Sequence, residues 1–141
     1  MYQNQIKWIM TSFLIVLSSW VVAEELLKSQ TSWDKGKISY PKGQLQITSI
    51  KLLIKQGETL PFHCHPVPTM GYVLKGMLEI EIKQGIKKIF QQGESVIEVM
   101  RTIHRGRAIG SDVEVVVFYA GAVSMPNTIL ESDSASKEYC Y

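Results

Sequence analysis

After Gln44 the chain alternates apolar and polar residues with a period of two. Ile50, Leu52 and Ile54 interleave with Lys51, Leu53 and Lys55 before Gly57 ends the stretch. Residues two apart on a strand share a face, so this spacing predicts a strand rather than a helix. Leu78, Ile80 and Ile82 alternate with Glu79, Glu81 and Lys83 ahead of Gln84 and Gly85, and Ile86 to Phe90 returns as the partner of a hairpin. Ser95 to Val99 forms a further predicted strand after Gly93. Val113 to Tyr119 is an almost unbroken β-branched and aromatic run, the pattern of a strand buried on both faces. No segment sustains a helical period over three turns, and glycines at 57, 71, 76, 85, 93, 106, 110 and 121 recur at the short spacing of sandwiches and barrels. The expected fold class is all-β.

The two ends read differently. Lys7 is the only charge before an apolar run from Trp8 to Val22, and Val21 and Ala23 stand three and one residues ahead of Glu24, the small-residue pattern of a signal-peptidase cut. Residues 1–23 therefore read as a cleaved export signal, the alternative being an uncleaved membrane anchor. Cleavage would leave no stable anchor and a periplasmic or secreted chain. With no cysteine at the cut and no twin arginine, the chain is expected to cross the membrane unfolded and to meet any metal outside the cytosol. Glu24 to Gln30 is compatible with a short helix. Residues 24–43 form an N-terminal arm carrying Trp33, Tyr40 and Pro41, which would lie on the barrel or on a neighbouring subunit. Residues 44–121 form the barrel, and 122–141 a loop running into a frayed tail.

At 141 residues the chain is long enough for one core. Its formal charge is +2, and removal of Lys7 with the signal leaves 14 basic against 13 acidic residues. That balance argues against nucleic-acid binding. Cys64 and Cys140 would enter an oxidising compartment, where a disulfide is permitted. A buried thiol and a free one on a loose tail are the alternative.

The chemistry lies in the histidines. All three are His63, His65 and His104. His63 and His65 would project from one face of a strand while Cys64 points away, and imidazole is a common ligand for divalent transition metals: Zn, Fe, Cu, Mn or Ni.

Their surroundings resemble the cupin family. Its first motif is a glycine, five residues, His-x-His, three or four residues, a glutamate, six residues and a glycine; Gly57, His63, His65 and Gly76 fall on that spacing. Its second motif places a proline six, a glycine eight and a histidine eleven residues after a glycine, and Gly93 and His104 match. Thr69 stands in the place of the glutamate, Val99 of the proline, Arg101 of the glycine and Ala108 of the closing asparagine. The resemblance implies a double-stranded β-helix, a jelly-roll barrel with one metal ion inside. It also implies a neutral three-histidine site, since the motif glutamate is missing. Many cupins dimerise through an N-terminal arm, which makes Trp33 to Pro41 a candidate homodimer contact by analogy.

Other residues are candidates for this site. Thr69 could orient a bound water, Arg101 could meet an anionic group with Arg105 and Arg107 forming a positive rim, and Tyr72 or Tyr119 could offer a hydroxyl. Against these stand ordinary core packing for the tyrosines and a solvated edge for the arginines. The expected function is an exported cupin that binds a metal and, at its open positions, a small-molecule ligand. The alternative is a metal-dependent dioxygenase or isomerase. Without a general base beside the histidines, and with the facing of Glu98 undetermined, acid–base chemistry is not indicated and an enzyme would lean toward redox chemistry.

Overall fold

The computed structural model describes residues 21–141. Most of the expected signal segment, residues 1–20, lies outside that range. Among the described residues no helix is long and apolar enough to cross a membrane. Seven strands follow in chain order: β1 (Leu45–Ile54), β2 (His63–Cys64), β3 (Thr69–Ile82), β4 (Lys87–Gln91), β5 (Ser95–Ile97), β6 (His104–Ala122) and β7 (Ile129–Leu130), with one short helix, α1 (Ser136–Tyr139). All pair antiparallel, and the fold is the expected all-β jelly roll.

The long strand β6 is the spine. Along one edge it pairs with β3 from Thr69↔Tyr119 to Ile82↔His104. Along the other edge it pairs first with β1, from Leu45↔Ala122 to Ile54↔Val113, and then with β2 at His63↔His104. β4 and β5 extend the free edge of β3, and β7 extends β2. The β3–β6 ladder slips register between Val73 and Met77, which bends both strands around the interior. Gly76 sits at this bulge with φ +81°, and any Cβ there would collide with the Asp112 carbonyl.

The hairpin expected around Gly85 is present, with Leu78 opposite Phe90 and Glu81 opposite Lys87. Val113 to Tyr119, however, is not buried on both faces. Val113, Val115, Val117 and Tyr119 are buried while Phe118 is exposed, so this segment obeys the period of two. Its β-branched content reflects pairing on both edges, with β1 and β3, rather than cover on both faces. The core comprises these inward groups with Ile54, Val67, Val73, Leu78, Ile80, Phe90 and Val96.

The termini follow expectation only in part. Glu24 to Gln30 forms no helix. The arm lies on its own barrel, where the Trp33 amide donates to the Ile97 carbonyl and the indole meets the edge of Phe90. Residues 122–141 are not a frayed tail. Glu131 N donates to the Phe62 carbonyl, Tyr141 N donates to the Arg101 carbonyl, and Cys140 is bonded to the fully buried Cys64, 76 residues away. Closing a loop of that length restricts the unfolded chain by about 4.5 kcal/mol in the chain-entropy account. Replacing Cys64→Ala together with Cys140→Ser is therefore expected to lower the unfolding free energy by about 4 kcal/mol. Urea denaturation without reductant measures this, and an unchanged midpoint contradicts it.

Candidate metal centre

Strands β2 and β6 and the segments just after β2 and β5 aim four side chains at a single point. The β2–β6 pairing sets His63 directly across from His104, and His65 follows two residues along the chain from His63, its backbone bridged to Met100. The ring centroids of His63, His65 and His104 lie 4.5 to 5.0 Å apart. All three histidines are buried.

Each ring is fixed by a carbonyl. Nδ1 lies 2.8 Å from the Pro61 oxygen in His63, 2.9 Å from that of Asn127 in His65 and 2.8 Å from that of Thr102 in His104. A carbonyl can only accept, so each Nδ1 carries the hydrogen and each Nε2 is left to face the interior. This is the arrangement by which outer groups orient the histidines of metal sites.

The fourth group is Glu98, just past the end of β5. Its Oε2 lies 2.9 Å from His104 Nε2 and 3.3 Å from His65 Nε2. The site is thus not a neutral three-histidine set: Glu98 supplies a carboxylate where the motif position, Thr69, does not. Burial works to raise the Glu98 carboxyl, but hydrogen bonds and charge from His104 and His65 outweigh it and hold it well below the ordinary carboxylate range. Burial, with the charges of His104 and His65, lowers His63 from 6.5 to about 4. His63 is accordingly neutral near pH 7, the form in which imidazole binds a metal.

One donor atom from each of the four residues lies within 4.8 Å of the others. A carboxylate beside three outward-pinned imidazoles fits a divalent transition ion and is unlike the all-oxygen sets of calcium and magnesium. Above the four lies a cavity of about 250 Å³ inside the barrel. Tyr119 and Thr128 are on its wall, and Thr128 Oγ1 lies 3.2 Å from His65 Nδ1.

The other candidates fall elsewhere. Thr69 is buried and donates its hydroxyl to the Val67 carbonyl; neither it nor Tyr72 or Arg101 lines the histidine cavity. Arg101 holds φ +61° at the glycine position of the motif, and its role is in the backbone, which binds the His65 carbonyl and the Tyr141 amide. Arg105 and Arg107 form no positive rim. They pair with Glu81 at 2.8 Å and Glu79 at 2.9 Å, alternating with Gly106, which does face the cavity. Tyr119 is the tyrosine that reaches the site. Glu98 falls in the strand expected over Ser95 to Val99, but β5 ends at Ile97 and both Val96 and Val99 are buried, so strand alternation alone does not assign its facing.

A family model described as the cupin domain matches residues 51–120. The chain carries a small cupin-type domain. Solved structures share this fold, among them the DMSP lyase DddQ from Ruegeria pomeroyi DSS-3, at 18% identity and TM-score 0.54 over 62% of this chain and 44% of that one. An oxalate oxidase matches at 21% identity and TM-score 0.51, over 60% of this chain and 46% of that one. A conserved protein with a double-stranded β-helix domain from Klebsiella pneumoniae matches at 16% identity and TM-score 0.53, over 68% and 91%. This cupin spans less than half the length of the lyase and of the oxidase, and at these identities the likeness is one of fold. No curated protein matches its sequence.

The buried site makes the metal-free cupin sensitive to acid. His63 takes its proton near 6.5 in the unfolded chain and near 4 in the fold, so between these values the unfolded state binds more protons and stability falls as pH falls. The loss amounts to about 3 kcal/mol on acidification from about pH 7 to about pH 4. Glu98, ionised in the fold, adds to it as the pH drops below its ordinary value. Urea midpoints of the metal-free protein and of His63→Ala across this range measure the effect. An equal slope in the two proteins contradicts the assignment to His63.

Proposed function

We propose that this cupin binds one divalent transition metal ion through His63, His65, His104 and Glu98 and holds a small-molecule ligand beside it in the barrel. The observation that carries the reading is the convergence of three buried imidazoles, each with Nδ1 on a carbonyl, on one buried carboxylate. Unmetallated, such a cluster must share protons between Glu98 and the rings. A cation that replaces those protons would satisfy all four groups at once.

When bound, the ion would supply Lewis acidity or a redox centre to a ligand in the cavity. The chain's own part is to orient and to exclude water. Aliphatic side chains surround the cavity, and burial raises the Tyr119 hydroxyl above its ordinary value, so it stays protonated. Tyr119 can thus donate a hydrogen bond to a ligand but does not serve as a base at neutral pH. Glu98, engaged at the ion and held well below the ordinary carboxylate range, is a weak base, and the second reading is a metal-dependent dioxygenase or isomerase.

The proposal includes export. The apolar run ahead of Glu24 and the Cys64–Cys140 bond, of a type that persists in oxidising compartments, both support it.

Metal analysis of the purified protein is the test. About one equivalent of a divalent transition metal per chain is expected after exposure to Zn, Mn, Fe, Ni or Cu. His63→Ala with His104→Ala is expected to abolish uptake, with folding verified by circular dichroism. Equal metal content in the two proteins would contradict the proposal.

A further inference from the structure

The cavity beside the histidines is chemically one-sided. At one end stand the three rings and Glu98. The rest of the wall is built mainly of aliphatic groups, including Leu52 and Ile54 from β1, Leu78 and Ile80 from β3, and Val115 and Val117 from β6. These are the inward positions of a period-two pattern, so the apolar lining follows directly from the strands themselves.

No lysine or arginine lines this cavity among the described residues. The nearby guanidinium groups are committed on the outside of the barrel, Arg105 to Glu81 and over the Phe62 ring, and Arg107 to Glu79. A charge carried into the aliphatic end would lose its water and find no counter-charge, which is among the costliest events in recognition. A charge at the histidine end meets a different balance. A divalent ion opposed by the single carboxylate of Glu98, with neutral imidazoles beside it, leaves one positive charge uncompensated.

Size sets the third limit. At about 30 Å³ for each water-sized group, 250 Å³ admits a body of roughly eight non-hydrogen atoms. Ile50 and Leu130 line the cavity while remaining partly exposed to solvent, which marks its opening.

We infer that the site takes a small monocarboxylate with an apolar body, its carboxylate toward the His/Glu end and its chain along the aliphatic wall, and that it rejects ligands with a second charge. This rests on the metal reading above. The second charge it excludes is one that would have to stand among the aliphatic groups.

The test uses zinc-loaded full-length mature protein and isothermal titration calorimetry, with zinc content measured beforehand. Across acetate, butanoate and hexanoate, affinity is expected to rise by about 4-fold for each methylene buried. Succinate, which has the same number of non-hydrogen atoms as hexanoate but a second carboxylate that must stand among the aliphatic groups, is expected to bind roughly 100-fold more weakly than hexanoate. An affinity independent of chain length, or succinate binding as tightly as hexanoate, overturns the inference while leaving the metal reading intact. A protein that takes up no zinc overturns both.

Discussion

The pairing of the two-residue strand β2 with the start of β6 is the constraint on which the centre depends. It puts His63 across the ladder from His104, and backbone carbonyls on three separate segments then fix the rings by their Nδ1 atoms. Ring orientation in a site of this kind is a matter of backbone, because the accepting oxygens belong to Pro61, Thr102 and Asn127 rather than to side chains that could rotate. The long β3–β6 ladder holds that backbone still. Its bulge at Gly76 bends the sheet enough to enclose the interior, which is why a glycine is required there.

The C-terminal segment belongs to the site as much as to the scaffold. It provides the Asn127 carbonyl and the Thr128 hydroxyl beside His65, it pairs with β2 through Ile129 and Leu130, and it is tied by Cys140 to the residue between His63 and His65. A covalent bond at Cys64 therefore holds the histidine-bearing strand and the segment that orients His65 in one unit. Loss of that bond acts first on the unfolded chain, through loop entropy, and only second on the ring geometry.

Much of this was legible in the sequence, and what was not has physical reasons. Alternation in Ile50–Ile54 and Leu78–Ile82 located strands and their inward faces, and the resemblance to the two cupin motifs implied that His63, His65 and His104 share one site. Val113 to Tyr119 misled because β-branched residues favour both a central strand and a doubly buried one, and composition does not separate the two. The disulfide could not be chosen over free thiols, since sequence carries no distance between Cys64 and Cys140. Thr69 drew attention to the wrong place for a carboxylate. The acid arrives instead from Glu98, six residues before His104 and just beyond β5, where strand alternation no longer assigns a face.

The central claim is that His63, His65, His104 and Glu98 form one cation site with every Nε2 turned inward. Anomalous diffraction from a crystal of the zinc-loaded protein tests it most directly. The account predicts a single strong peak enclosed by the three Nε2 atoms and a Glu98 oxygen, with each Nδ1 still on its carbonyl. A peak at another position, or rings turned so that Nδ1 faces the ion, would contradict it.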